Sequence, residues 1–237
     1  MITDMLVHVG IKKGDNYKVE SLLELMEEHG VDQAMICSQL ETIDNDYIHE
    51  SALKYPGILL PFAVINPWDL NAEEELEDLF KNKGFYGLKM NAVRYGYSAD
   101  RSSLIGPLFE LCKKYNKIAV VHCMSDLFSL PDKWGKMAKA FPTVPILLYH
   151  FGVPTMADRA IELARELDNV YLSTAGAFPV VMQEAYKELG PEKIIFSSDA
   201  PYGNLKTEIA KIRFLTDNEE HLEMMFSKNI RKILKID

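Results

Sequence analysis

Short apolar runs alternate with longer amphipathic stretches along the whole chain. The runs are rich in β-branched and aromatic residues, as strands are, and the stretches between them have the periodicity of helices. A strand that is followed each time by a helix implies parallel pairing through right-handed crossovers. The pattern therefore favours a (β/α)8 TIM barrel or a doubly wound sheet. Eight strands are predicted, at 2–9, 33–37, 58–65, 86–90, 118–123, 145–150, 170–174 and 193–198.

The predicted helices have recognisable ends. Asn71 is expected to cap the first free amides of one helix, and Gly84 permits a left-handed stop after it. Another helix is expected to end near His29, with Gly30 as its stop. Further helices are predicted at 45–54, 103–115, 132–140, 155–167, 180–189 and 205–234, the last broken near residues 217–218.

The count of strands favours the barrel. A doubly wound nucleotide-binding sheet normally has a GxGxxG turn after its first strand, and VGIKKG at residues 9–14 does not match it. The 237 residues leave about 30 for each of eight βα units. We therefore expect a single domain over residues 1–237, without a lid. Its pocket is then shallow or completed by a neighbouring subunit in a homo-oligomer, and its substrate is small.

The charge and the cysteine content limit the partners and the compartment. Lys plus Arg total 26 and Asp plus Glu total 35, so the net charge of −9 repels nucleic acid and anionic lipid surfaces. The first residues lack the features of a signal peptide, and no apolar run approaches the ~20 residues of a membrane span. Cys37, Cys112 and Cys123 have no CxxC spacing, which is typical of reduced thiols. We expect a soluble, cytoplasmic protein that binds neither nucleic acid nor membranes.

Four polar side chains close predicted strands. They are His8, His122, His150 and Asp199. In a TIM barrel the carboxyl ends of the strands meet at one mouth, where the chemistry takes place. Three imidazoles and a carboxylate are a ligand set for zinc, manganese or iron, and the ion could acidify a water molecule for hydrolysis. The alternative is that each side chain is only hydrogen-bonded to a nearby loop.

The other histidines and Cys123 are interpreted as structural. His29, His49 and His221 fall within or at the ends of predicted helices, where solvated or capping roles are expected. Cys123 follows His122 directly, and alternation along a strand turns the two side chains in opposite directions. A catalytic Cys–His pair is therefore disfavoured, and we expect a buried, inert thiol at Cys123.

Several segments together resemble one enzyme superfamily. TDMLVHVG at 3–10 resembles a D-x-H-x-H strand, GFYGLKM at 84–90 a G-x-K segment, and VVH at 120–122 a strand-five histidine. LYHFG at 148–152 resembles an H-x-G motif, and EKIIFSSDAPYG at 192–203 is similar to a strand-eight motif that ends S-D-x-P-x-G. Residues 227–234 resemble the family's closing helix. Over its full length the chain resembles the metal-dependent amidohydrolase superfamily, specifically the amidohydrolase-2 branch with decarboxylases of the aminocarboxymuconate semialdehyde type.

The resemblance implies one divalent metal ion, zinc in the first place, with manganese or iron as alternatives. The implied ligands are His8, His122 and Asp199, with His150 as a further ligand or as the base that moves a proton. Leu6 stands where the family has the first histidine of H-x-H. Two histidines with one carboxylate are an established set for catalytic zinc, so a weaker site remains chemically possible.

The substrate-binding candidates lie around the same mouth. Lys89 closes a predicted strand, and other branches of the superfamily have a carboxylated lysine that bridges two metals. A contact with a substrate carboxylate, or a plain salt bridge, is the favoured interpretation here. Arg94 is the best candidate to grip a carboxylate, and Asn91 and Tyr202 are expected to line the pocket. The alternative is that these loop side chains face water.

Three functions remain open. The first is a metal-dependent hydrolase of a small amide, ester or lactone, in which Asp199 or His150 moves the proton. The second is a decarboxylase of the same fold, acting on a substrate that bears a carboxylate. The third is a barrel that lost its metal with the first histidine and binds a small molecule or a partner without turnover.

Overall fold

The computed structural model of the protein describes residues 1–12 and 15–236. The strands are β1 (Thr3–Lys12), β2 (Asp15–Tyr17), β3 (Gln33–Ser38), β4 (Leu59–Val64), β5 (Gly87–Met90), β6 (Ile118–His122), β7 (Ile146–Tyr149), β8 (Val170–Ser173) and β9 (Ile194–Ile195). The helices are α1 (Val19–His29), α2 (Asn45–Lys54), α3 (Ala72–Lys81), α4 (Ala92–Tyr95), α5 (Ser102–Tyr115), α6 (Pro131–Ala140), α7 (Ala157–Glu166), α8 (Pro179–Leu189), α9 (Leu205–Leu215), α10 (Glu219–Glu223) and α11 (Asn229–Leu234).

The strands form one sheet that closes on itself. Its order is β2-β1-β3-β4-β5-β6-β7-β8-β9, and every pair is parallel except the β1–β2 hairpin. The main chain closes the ring, because Met5 N donates to Phe196 O at 3.1 Å and His8 N donates to Ala200 O at 2.8 Å. The predicted (β/α)8 barrel is therefore confirmed, with β1 and β3–β9 as its eight strands.

Strands β1 and β9 differ from the prediction. Strand β1 continues to Lys12 and pairs with β2, so His8 lies within the strand rather than at its end. The hairpin was not predicted, because β2 has only three residues and is too short to show a periodic pattern. Strand β9 covers two residues of the six expected, because the chain after it bonds across the ring instead: Ser198 N donates to the Asp4 carboxylate at 2.9 Å.

The helix ends are mostly as expected. Gly30 takes the left-handed conformation after α1, and α2 has the predicted bounds. Asn71 precedes α3 but makes no side-chain capping bond, because its backbone (φ −104°, ψ 14°) lies outside the extended region of a capping residue. The last predicted helix is divided into α9, α10, a π turn at Met224–Lys228 and α11. No helix in residues 1–12 and 15–236 is long and apolar enough to span a membrane.

Two apolar layers place the functional side chains. One lies between the sheet and the helices and includes Cys112 and Cys123, which are free thiols, as is the buried Cys37. The other fills the barrel and includes Met5, Leu6, Phe62, Leu147 and Tyr149. Because Leu6 and Tyr149 belong to this inner layer, they form the apolar floor beneath the side chains at the mouth.

Candidate active site

His8 is held in one orientation by the neighbouring strand. Its Nδ1 lies 3.1 Å from the main-chain oxygen of Ser38. A carbonyl oxygen only accepts, so Nδ1 carries the proton and Nε2 carries the lone pair. Nε2 lies 3.6 Å from Oδ1 of Asp199. Burial and the nearby Lys89 charge lower the pKa of His8 to about 3, so the ring is neutral.

Asp199 follows β9 with a left-handed backbone, φ 59°. Its Oδ1 accepts a hydrogen bond of 3.0 Å from the Tyr149 hydroxyl. Among the described residues, Oδ2 has no hydrogen bond and is left for a substrate or a water molecule. Burial raises the pKa of Asp199 to about 6, although the Lys89 charge and the Tyr149 bond oppose this rise. The carboxyl group can thus lose or accept a proton near neutral pH.

His122 and His150 form a second pair across the mouth. Their ring centroids are 5.0 Å apart, with an edge-to-face arrangement. His150 Nδ1 lies 3.1 Å from Ala175 O, so this nitrogen donates and Nε2 has the free lone pair. Burial, followed by the Lys89 charge, lowers the pKa of His122 to about 4 and that of His150 well below its usual value. Both rings are neutral and poor bases.

Lys89 places a positive charge inside the barrel. The residue is 1% exposed, and its Nζ lies 3.6 Å from the centre of the Tyr149 ring. Within residues 1–12 and 15–236 this ammonium has neither a hydrogen bond nor an ion pair. Burial lowers the pKa of Lys89 to about 8, while Asp199 opposes this change. The side chain therefore remains mostly charged at neutral pH.

Tyr149 lies in the candidate site, although the sequence analysis did not predict it there. Besides Asp199, its hydroxyl contacts Leu6 O at 3.3 Å and Ser197 Oγ at 3.3 Å. The sequence contains a weak signal, because Tyr149 directly precedes His150 in an apolar strand and a buried tyrosine hydroxyl needs a partner. What that partner is depends on residues about 50 and 140 positions away in the chain.

The other substrate-binding candidates are Tyr202, Arg94 and Asn91. Tyr202 lies at the site, with its ring 5.5 Å from that of His8 and its hydroxyl donating to Gln39. Arg94 is exposed at the rim, and its Nε donates to Leu40 O at 3.3 Å. The Asn91 side chain accepts from Arg94 N and so caps α4. Substrate binding by these residues stays a prediction, with Asn91 already engaged in a structural bond.

A large cleft lies at the opposite end of the barrel. Its volume is about 630 Å³, and its lining includes Pro145, Asp168 and Lys193, which precede β7, β8 and β9. None of the candidate site residues, such as His8, Lys89 and Asp199, lines it. Because catalysis in TIM barrels takes place at the carboxyl ends of the strands, this cleft is not the candidate site.

A family model described as Amidohydrolase matches residues 20–236. The chain belongs to the amidohydrolase family. This is a family of enzymes. No curated protein sequence matches the chain.

Solved structures resemble this amidohydrolase over nearly its whole length. An uncharacterised TIM-barrel protein from Bordetella bronchiseptica has a TM-score of 0.82 and 14% identity, and 99% of this chain and 98% of that chain are covered. A dihydroxybenzoic acid decarboxylase from Polaromonas sp. JS666, with manganese and 2-nitroresorcinol, has a TM-score of 0.77 and 16% identity, with coverage of 99% and 97%. A probable 2-pyrone-4,6-dicarboxylic acid hydrolase from Acinetobacter baumannii has a TM-score of 0.77 and 16% identity, with coverage of 99% of both chains. At these identities the likeness establishes the fold alone.

The residues at the mouth do not fit the divalent ion that the resemblance implies. Among the described residues, no three His, Cys, Asp or Glu side chains converge closely enough to hold one ion. Leu6 is fully buried where the first histidine would be, and Oδ1 of Asp199 is engaged by Tyr149. The Lys89 ammonium adds a positive charge that acts on His8, His122 and His150 and would repel a second cation. No catalytic step is therefore assigned to a metal.

Proposed function

We propose that this protein is a hydrolase that opens an ester or lactone of a small, carboxylate-bearing compound at the mouth of the barrel. The observation that carries the proposal is the placement of Asp199: Tyr149 donates to Oδ1, and none of the described residues donates to Oδ2. A carboxylate fixed through one oxygen presents the other in a defined direction, which is what a general base requires. Membership of the amidohydrolase family supports the reaction class.

Asp199 is the proposed base. In the reaction it removes a proton from the water that attacks the substrate carbonyl, and it returns the proton to the leaving oxygen. His150 is less suited to this role, because burial holds its pKa well below the usual value. The proposal thus assigns to Asp199 the proton transfer that the sequence left open between two residues, and it gives the His150 ring a positioning role.

The surroundings favour a flat, partly apolar substrate with a negative group. Lys89 supplies positive charge at the base of the mouth. Exposed apolar side chains follow the carboxyl ends of several strands, where they could cover an aromatic or unsaturated ring. They are Trp68, Leu70, Val93, Leu127, Phe128, Phe178 and Tyr202.

Decarboxylation is the second candidate. Decarboxylases of aromatic acids recur among the solved structures with this fold, and some of them contain manganese. In such a reaction the protonated Asp199 would deliver its proton to the carbon that loses carbon dioxide. The same residue serves both candidates in opposite protonation states, so the products must discriminate between them.

The test is to incubate the protein with carboxylate-bearing aryl esters and lactones and with hydroxybenzoic acids, in ¹⁸O-labelled water. Parallel samples contain EDTA or added zinc or manganese. Hydrolysis gives a ring-opened or cleaved acid that contains label from water, whereas decarboxylation releases carbon dioxide. Turnover in neither class would contradict the proposal and favour a binding protein without activity.

Two variants connect turnover to the proposed base. Asp199→Asn is isosteric but cannot accept the proton, and loss of a general base typically costs about 10² to 10⁴ in rate. Asp69→Asn is the matched control, because Asp69 is an exposed carboxylate in a loop at the same mouth. The proposal is wrong if both variants keep the wild-type rate.

A further inference from the structure

The buried ammonium of Lys89 forms no ion pair with any residue that the structure describes. The residue is 1% exposed, and its Nζ lies 3.6 Å from the centre of the Tyr149 ring. A cation–π contact offsets only part of the cost of removing an ammonium from water. A buried charge of this kind normally has a partner of opposite charge. An unpartnered one at a barrel mouth is suited to receive an anionic ligand.

The groups that face Lys89 do not neutralise it. A histidine side chain carries no negative charge in either protonation state, so His8, His122 and His150 cannot balance this cation. Asp199 is the carboxylate that acts on Lys89, but it forms no ion pair with it and bonds to Tyr149 instead.

The lysine and a divalent ion would compete for the same surroundings. The side chains on which the Lys89 charge acts are those that the family resemblance assigns as metal ligands, namely His8, His122, His150 and Asp199. The remaining ligand position of the family holds Leu6, which has no lone pair and is fully buried. The buried lysine and the loss of a metal ligand at Leu6 are consistent with each other, because the lysine supplies the positive charge that the metal ion would have supplied.

We propose that the Lys89 ammonium is the resident cation of this barrel, that it takes the place of a divalent metal ion, and that it binds the carboxylate of the ligand directly. The choice of an aromatic carboxylate as ligand rests on the proposed function. The exclusion of a metal ion does not rest on the proposed function, because it follows from the placement of Lys89 and Leu6. The proposal predicts anion binding that needs no metal.

Metal content gives the first test. The full-length protein is expressed with added zinc and manganese and dialysed, and its metals are measured by mass spectrometry. We expect less than about a tenth of an equivalent of any divalent metal. A full equivalent retained by the wild type overturns the proposal. This result does not depend on any variant folding or on any turnover.

Benzoate binding gives the second test, with benzyl alcohol as the uncharged probe. Isothermal titration in EDTA is expected to detect benzoate binding and no binding of the alcohol. Lys89→Met keeps the length of the side chain without its charge, and it should weaken benzoate binding about tenfold or more. Lys117→Met is the control. Lys117 is a half-buried lysine whose Nζ lies 5.5 Å from the centre of the Tyr86 ring, and it precedes β6 at the opposite end of the barrel.

These tests distinguish failure of the cation assignment from failure of the proposed function. A wild type that binds no benzoate in EDTA, or a folded Lys89→Met variant that binds it as tightly as the wild type, overturns the proposal. Circular dichroism establishes folding of each variant. If benzoate binds as expected but none of the ester, lactone and hydroxybenzoate substrates is turned over, the proposed function fails and the cation assignment stands.

A rebuilt metal site gives the third test. Leu6→His restores the missing nitrogen, yet Lys89 should still exclude the ion, so this variant alone is expected to bind no zinc. Leu6→His with Lys89→Met should bind about one equivalent, because three or more donors then surround an uncharged centre. Stoichiometric zinc in Leu6→His alone would show that the lysine does not exclude a metal and would overturn the proposal.

Discussion

The hydroxyl of Tyr149 donates a hydrogen bond of 3.0 Å to Oδ1 of Asp199, while the ring of Tyr149 lies 3.6 Å from the Lys89 ammonium. One side chain therefore orients the proposed base and contacts the proposed cation. Its position at the end of β7 directs it into the barrel, next to the main chain of Leu6. Changes at Tyr149 are expected to affect the chemistry more than the fold.

Tyr149→Phe should shift the pH dependence of turnover. The substitution removes the hydroxyl and keeps the ring. Because the hydroxyl bond lowers the pKa of Asp199, its loss raises that pKa, and the acidic limb of the pH–rate profile should move to higher pH. The free energy of unfolding should fall by about 1 kcal/mol. Leu6 O keeps the bond from Ser197 Oγ. An unchanged acidic limb would contradict the role given to Tyr149.

Asp4→Asn should make stability less dependent on pH. Asp4 is buried, and burial raises its pKa from 3.8 to about 7. The folded state thus holds the proton more tightly than the unfolded state. This contribution to stability is fully present at acid pH and is lost as pH rises from 3.8 to about 7. Asparagine stays neutral and can still accept from Ser198 N.

Urea unfolding checks this prediction. The variant should be more stable than the wild type at about pH 8, by up to about 4 kcal/mol, and the difference should shrink at about pH 5. Parallel pH curves for the two proteins would show that Asp4 does not titrate in this range.

Gly176→Ala should disturb His150. Gly176 has φ 68°, and a Cβ added there would lie 3.3 Å from His150 Nδ1. Gly84 is the matched control, because it has φ 72° and nothing within 4 Å of its Cβ position. Both variants should lose about 1 kcal/mol of stability from the left-handed backbone. Turnover should fall about tenfold in Gly176→Ala alone. Equal turnover in the two variants would remove the positioning role of His150.

Asn169→Ala should destabilise the barrel. The Asn169 amide donates to the main-chain oxygens of Ala138, Phe141 and Val144 at 3.1, 3.1 and 3.0 Å. These bonds connect the residue before β8 with the end of α6 and the loop that follows it, and their loss should cost about 2 kcal/mol. Asn82→Ala removes an exposed bond to Asp78 and should change stability by less than about 0.5 kcal/mol. Thermal or urea unfolding of both variants compares the costs, and similar costs would contradict the prediction.

The periodic elements were the most predictable part of the fold. The alternation of apolar runs and amphipathic stretches located all eight barrel strands, because burial on both faces requires uninterrupted apolar runs. Strand β2 of the hairpin was not predicted, and β9 was predicted to be longer than it is. Both depend on main-chain pairing with β1, and a main-chain bond leaves little trace in the side-chain pattern.

The candidate site was predictable in its members and not in its arrangement. His8, His122, His150 and Asp199 were found because polar side chains stood out at the ends of apolar strands. The role of Tyr149 was not found, because its partners come from distant strands.

The sequence by itself determined that the chain forms a parallel barrel with three histidines, a lysine and an aspartate at one mouth, since residue type and spacing decide which strands are buried and where they end. Only the tertiary structure decided how these groups are used. In it Tyr149 is hydrogen-bonded to Asp199, Lys89 forms no ion pair with any described residue, and Leu6 lies in the floor. The physical reason is that charge pairing and hydrogen bonding depend on distances of a few ångströms between strands far apart in the chain, which a linear pattern does not contain.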